Sequence, residues 1–169
     1  MAATFTLIAS TTIPSATAAY TFNSIPNTYT DLKLVWSVLQ TSNTDAIVTF
    51  NGVTSGYNYR SIFDVNQTSG SPDTYGGNVT TGLVLQYFWG SGTTFNAGGM
   101  YITNYASATQ KAIWTDNTQP NLTNNGNFSL IPMSHNWNNT AAITSLTFTP
   151  GTGNIAANTQ FSLYGIKNS

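Results

Sequence analysis

The stretch LKLVWSVLQ, from Leu32 to Gln40, has the clearest strand pattern in this sequence of 169 residues. Its side chains alternate between two faces, as they do in a β-strand, and both faces are partly apolar. Apolar residues on both faces are typical of a strand in the centre of a sheet that is covered on each side. We therefore expect a central strand here. One face would consist of Leu32, Leu34, Trp36 and Val38, and the other of Lys33, Val35, Ser37 and Leu39.

The same alternation of apolar with small or polar residues recurs along the chain, whereas the spacing of an amphipathic helix is hard to find. Because turn-rich spacers separate the strand segments, we expect an all-β protein with about ten short antiparallel strands. This pattern is typical of a β-sandwich and favours a jelly roll. The segments lie at 4–9, 20–25, 32–40, 46–50, 57–65, 83–89, 99–105, 111–115, 128–131, 143–148 and 161–166.

Turn-forming residues punctuate these strands. The dipeptide Asn51-Gly52 accepts the positive φ angles of a tight turn. The segment from Asn66 to Asn78 is rich in Gly, Ser, Asn and Pro, so we expect an exposed loop there. Gly165 interrupts a strand pattern, which indicates that another backbone or a bulky ring comes close.

No linker or clean internal repeat divides the chain, so a single β-sandwich domain is expected over residues 1–169. Residues 1–14 are expected to form an edge strand or an arm that docks on a neighbouring protein. No apolar run reaches the roughly 20 residues of a membrane-spanning helix, so we expect no membrane partner.

Charged residues are scarce: the chain has four Lys or Arg and five Asp, with a formal net charge of −1. Ordinary soluble domains carry about a quarter charged residues. No basic stripe is present to neutralise phosphates, so nucleic-acid binding is not expected. The small net charge also provides little repulsion between copies, which suits a subunit that assembles.

Few residues are suited to catalysis or metal binding. The chain contains no Cys or Glu and a single His, His135, which we expect to be structural or part of an interface. A glycosidase needs two facing carboxylates, and the only Asp pair close in sequence is Asp64 and Asp73. Hydrogen bonding to turn amides is the simpler role for both. We therefore expect no catalytic, cofactor-binding or metal-binding residues, and no enzyme activity.

Aromatic residues make up 13% of the chain. Their rings can stack on sugars, and Asn and Thr side chains provide the hydrogen bonds that a carbohydrate site also needs. This alternative hypothesis assigns a glycan site to Trp89, Trp114, Trp137 and Tyr75. The simpler interpretation is that such rings fill the core or a subunit interface, where Trp and Tyr are enriched.

Four segments together resemble small virion structural proteins of tailed bacteriophages. They are YTFNSIPNTYTDL from Tyr20 to Leu32, FNG from Phe50 to Gly52, YNYR from Tyr57 to Arg60, and FSLYGI from Phe161 to Ile166. The resemblance covers the first 60 residues and the end of the chain. It implies a jelly-roll-like β-sandwich that assembles as a homotrimer and binds the major capsid protein or joins a tail appendage.

Between these two locations we favour capsid decoration, because the chain is short and has no coiled-coil, collagen-like or β-helical shaft. The resemblance then implies a cement protein on the outer surface of the phage head, made in the cytoplasm of the host bacterium. The expected capsid-facing residues lie near the N-terminus: Phe5, Leu7, Ile8, Ile13 and Pro14. The alternative is a tail-fibre or head-fibre domain that binds a receptor or glycan.

Overall fold

A computed structural model of the chain describes residues 4–63, 73–86, 88, 94–120 and 128–167. The regular structure in these ranges is all antiparallel β-strand, as the alternating pattern predicted. The twelve strands are β1 (Phe5–Thr12), β2 (Tyr20–Phe22), β3 (Asp31–Val38), β4 (Ala46–Phe50), β5 (Tyr57–Phe63), β6 (Asp73–Val79), β7 (Leu83–Leu85), β8 (Asn96–Ile102), β9 (Lys111–Pro120), β10 (Phe128–Trp137), β11 (Leu146–Pro150) and β12 (Gln160–Ile166).

The strands form two sheets that enclose an apolar core. The larger sheet has eight strands in the order β1-β12-β3-β8-β9-β10-β5-β6, and the smaller has four in the order β2-β11-β4-β7. If the pairs β5–β6 and β9–β10 are set aside, eight strands remain, which can be numbered again from one to eight along the chain. In that numbering the larger sheet has the order 1-8-3-6 and the smaller sheet has the order 2-7-4-5. This is the strand order of a jelly roll, and the expected β-sandwich architecture is confirmed.

The two additional strand pairs lengthen only one sheet. β9 pairs with β8, β10 with β9, β5 with β10, and β6 with β5. They extend the larger sheet from the four strands of the jelly roll to eight. We call these four strands, β9, β10, β5 and β6, the extension.

β3 lies in the larger sheet between β12 and β8, as expected of a central strand. Its inner face belongs to the core, and each of these side chains is at most 3% exposed: Leu32, Leu34, Trp36 and Val38. Burying a side chain of this size contributes about 1.5–3 kcal/mol. The outer face differs from the prediction of cover on both sides, because Val35 is 42% exposed and Lys33 is only half-buried.

Residues 73–79 correct the prediction of a loop from Asn66 to Asn78, because they form β6. This strand pairs with β5 along its whole length, so backbone hydrogen bonding rather than side-chain alternation defines it. Its Gly76 has the side chain of Arg60 lying directly over it, where a Cβ would otherwise be. Residues 66–72 lie outside the described part. With β6 included, the described ranges contain twelve strands rather than about ten.

Two local predictions are confirmed. Asn51 and Gly52 have φ angles of 55° and 70°, as a tight turn of this type requires. The Asn51 side chain also accepts hydrogen bonds from the backbone N–H groups of Thr144 and Ser145 at 2.8 and 3.1 Å, which ties the turn to the start of β11. At Gly165, the ring of Tyr29 fills the space that a Cβ would occupy.

Candidate interaction surface

The outer face of the larger sheet, which points away from the smaller sheet, carries all the exposed large apolar side chains among the described residues. They are 42–56% exposed: Phe5, Leu7, Val35, Ile62, Trp114 and Leu130. The outer positions of an antiparallel sheet that faces water are normally polar. Concentrated exposed apolar residues mark surfaces that contact other molecules, so this face is the candidate functional site.

The strand register aligns several of these residues across the sheet. One row contains one residue from each of the eight strands: Leu7, Tyr164, Lys33, Tyr101, Trp114, Ser134, Arg60 and Gly76. Tyr101 donates a hydrogen bond from its hydroxyl to Asp31 Oδ2 at 2.6 Å, which directs its side chain toward β3. This hydrogen bond to the carboxylate raises the pKa of Tyr101 to about 12, so the hydroxyl stays protonated and remains a donor.

Five of the six exposed apolar side chains form two groups on this face, and the sixth, Val35, lies on β3 between them. Phe5 and Leu7, on β1, form the edge patch and are 56% and 53% exposed. Ile62, Trp114 and Leu130, on three strands of the extension, form the extension patch and are 54%, 49% and 54% exposed. The strands β12, β3 and β8 lie between the two patches.

The five residues predicted to face a capsid do not share one environment. Phe5 and Leu7 lie on the outer face, and Pro14 is exposed just after β1. Ile8 is half-buried at an irregularity in the pairing of β1 with β12. Ile13 is 3% exposed and packs in the core, which corrects its assignment as a contact residue. Its backbone N–H donates to the carbonyl of residue 159 at 2.8 Å, which holds it there.

The four residues predicted to bind a glycan are also separated. Trp137 is fully buried, with its ring stacked on Tyr57 at 5.9 Å between centroids, so it is a core residue rather than a sugar platform. Trp114 is exposed at the centre of the outer face. Trp89 and the side chain of Tyr75 lie outside the described residues. Of the proposed set, the described structure therefore brings only Trp114 to the surface.

The single histidine of the chain is buried in the fold. His135 is 4% exposed, and its Nε2 lies 3.0 Å from Thr115 Oγ1. Burial lowers the pKa of His135 to about 3, so the imidazole is neutral at physiological pH. The described residues include no group of three or more His, Asp, Glu or Cys side chains that is placed to hold a metal ion. Asp64 and the side chain of Asp73 lie outside the described part, so the pair is not placed.

Sequence reasoning missed the extension patch. Lys111 and Trp114 lie three residues apart on β9 and therefore point to opposite faces. A lysine is normally the exposed member of such a pair, yet Lys111 is fully buried. Its ammonium donates to the carbonyl oxygens of Ser107 and Thr109, and burial lowers its pKa. Trp114 consequently points outward.

In the part of the chain that the structure describes, no helix is long and apolar enough to cross a membrane. No protein-family model and no curated protein matches the sequence. The features that bear on function are therefore the outer face and the four segments that resemble phage virion proteins.

Proposed function

We propose that this protein is a virion structural protein, a capsid decoration protein that binds the outer surface of a tailed-phage head and stabilises the shell across junctions between capsid subunits. The observation that carries the proposal is the apolar outer face of the larger sheet, beginning at the edge strand β1. The resemblance of four sequence segments to phage virion proteins supports the same function.

The edge patch supplies the shell contact in this proposal. Among the described residues β1 pairs with β12 on one side only, so its other side presents backbone N–H and C=O groups that a strand of another protein can pair with. Phe5 and Leu7 project beside that free edge and would be buried in the same contact. Main-chain hydrogen bonds and apolar burial then act together, as they do when a strand is added to a sheet.

The action on the shell is mechanical. A protein that spans a junction between capsid subunits adds buried apolar area across a seam that the pressure of packaged DNA tends to open. Apolar burial contributes roughly 25 cal/mol per Å² before the costs of association are subtracted. Because many copies bind one shell, interfaces of modest size are sufficient to stabilise it.

A binding experiment with purified shells that lack this protein tests the proposal. The wild-type chain should co-sediment with the shells and raise the temperature at which they break open. The double variant Phe5→Ser with Leu7→Ser should lose both effects. Thr4→Ser with Thr6→Ser is the matched control, because these two side chains are exposed at the same end of the chain and the changes remove no large apolar group. Equal binding by both double variants would overturn the shell contact.

A second candidate function, glycan recognition by a fibre domain, is favoured by the exposed indole of Trp114. Next to its row, three amide side chains are paired across the extension: Asn136, Asn58 and Asn78. A ring flanked by amides can stack on a sugar and hydrogen-bond to its hydroxyl groups. A glycan array with wild type and Trp114→Ala tests this function, which requires binding that the variant loses.

A further inference from the structure

We infer that the junction between the jelly roll and the extension binds a small group of internal water molecules through four buried polar side chains. This inference is independent of the proposed shell contact, because it concerns the core side of the larger sheet rather than its outer face. The four residues are Trp36, Gln40, Asn96 and Asn117, and each is at most 3% exposed. We call them the polar cluster.

Several polar atoms of this cluster have no hydrogen-bond partner within the protein. They are the indole nitrogen of Trp36, the amide oxygen of Gln40, and both amide atoms of Asn96 and of Asn117. Within the ranges that the structure describes, six of the eight buried side-chain atoms without a partner therefore belong to the cluster. An unpaired buried donor or acceptor is costly, so buried polar atoms in folded proteins are nearly always paired. Six such atoms in one place indicate a bound molecule.

The strand register brings the cluster together around Gly98 on β8. Gly98 pairs with Trp36 on one side and with Asn117 on the other. The Trp36 ring reaches over the glycine, because its Cζ2 lies 3.0 Å from the position of a Gly98 Cβ, and the Cα of Asn117 lies 2.8 Å from the same position. Asn96 lies two residues before Gly98, on the same face of β8. Three of the four residues thus surround one glycine, where β8 of the jelly roll meets β9 of the extension.

Phe88 covers the cluster. Its ring packs on that of Trp36, with 5.7 Å between centroids, and its carbonyl oxygen accepts a hydrogen bond from Nε2 of Gln40 at 2.7 Å. This bond uses the amide nitrogen of Gln40, whereas the amide oxygen has no partner. Gln40 follows Val38 by two residues, and Val38 pairs with Asn96. The unpaired oxygen therefore lies at the same end of the sheet as the amide of Asn96.

The mixture of donors and acceptors selects water rather than an ion. The indole and amide N–H groups are donors, whereas the three amide oxygens are acceptors. An anion would leave the oxygens unpaired, and a cation would leave the N–H groups unpaired. The bound molecule must therefore both donate and accept, and the near-complete burial of all four side chains requires it to be small. Internal waters make about three hydrogen bonds each, so six atoms require about two waters.

Solvent lies close to the cluster. An open depression of about 240 Å³ at the surface has Gly98 and Asn117 among the residues that line it. The waters therefore exchange with solvent through a local opening rather than through unfolding of the whole protein. Their hydrogen bonds connect β3 and β8 of the jelly roll with β9, so they stabilise the junction at which the extension begins.

Nuclear Overhauser spectra between water and the 15N-labelled full-length chain test the inference. The side-chain amide protons of Asn96 and Asn117 and the indole proton of Trp36 should show cross-peaks to water, with the sign of long-lived contacts. In the double variant Asn96→Leu with Asn117→Leu, oxygen-17 relaxation dispersion should count about two fewer long-lived waters than in wild type. Thr159→Val is the matched control, because the buried hydroxyl of Thr159 already bonds to the backbone of Leu39, and it should keep the wild-type number.

Missing cross-peaks in wild type would overturn the inference, and this measurement requires no variant to fold. Shifts of the same amide signals on titration with NaCl or CaCl2 would also overturn it and assign the cluster to an ion. A small molecule that the purified protein releases on denaturation, found by mass spectrometry, would overturn it in favour of that molecule. A folded double variant that keeps every long-lived water would place the waters elsewhere and contradict the inference. None of these results depends on shell binding, so failure of the proposed function is distinguishable.

Discussion

At the scale of single residues, the burial of His135 links the stability of the fold to pH. Its pKa is lowered to about 3 in the folded protein, whereas an unfolded chain has a His pKa near 6.5. Below about pH 6.5 the unfolded state therefore binds a proton that the folded state does not. The contribution of neutral His135 to the free energy of unfolding is therefore fully present above about pH 6.5, and it is lost as the pH falls toward the pKa of the folded state.

Below about pH 6.5 the free energy of unfolding falls by about 1.4 kcal/mol per pH unit because of His135, which amounts to a loss of about 2.5 kcal/mol at pH ~4.5. Urea unfolding of wild type and His135→Gln at neutral pH and near pH 4.5 measures it. The variant should lose less stability than wild type over this range, because Asp residues contribute equally to both. Identical losses would contradict the effect of His135.

A second prediction at this scale concerns Gly165. The ring of Tyr29 occupies the position of its missing side chain, so Gly165→Ala should lower the free energy of unfolding by about 1–3 kcal/mol. Gly77→Ala is the control, because an added Cβ there would lie 3.9 Å from Tyr59 Cε1, an ordinary contact distance. Chemical denaturation compares the two. If both variants were equally stable, the close approach at Gly165 would not be a constraint on the fold.

At the scale of elements, the start of β1 is exposed, whereas the residue just after its end is buried in the core. Its first residues present Phe5 and Leu7 on the outer face, while the chain just beyond it buries Ile13 in the core. Ile13→Ala should therefore lower the free energy of unfolding by about 2–5 kcal/mol through lost burial and a cavity. Phe5→Ser with Leu7→Ser should lower it by only about 1 kcal/mol. A double variant as unstable as Ile13→Ala would mean that the edge patch belongs to the fold rather than to an interface.

Elements also differ in how well the sequence predicts them. β3 was predictable because Leu34 and Trp36 alternate with polar or smaller residues and the core requires their burial. β6 was not, because Gly76 and Gly77 carry no side-chain signal and the strand exists through pairing with β5. The sequence pattern predicts that both faces of β3 are covered, because it does not distinguish apolar residues that their own chain covers from apolar residues that a partner covers. Val35 is an example, because only the folded structure shows that its side chain is exposed.

For the whole molecule, the jelly-roll order of eight strands and the four-stranded extension separate a common scaffold from a feature particular to this chain. The scaffold follows from the alternating pattern and the turn at Asn51-Gly52. The pattern does not predict the apolar residues on the outer face of the larger sheet, because the burial of Lys111 decides that Trp114 points outward. In the proposed function, the edge patch is the part of this face that contacts the shell.

The copy number of this chain relative to the major capsid protein in purified virions, measured by quantitative mass spectrometry, tests the proposed function most directly. A decoration protein is present across the whole head, so the account predicts a ratio near that of the shell subunit. A few copies per virion would contradict it and place the protein in a tail or fibre.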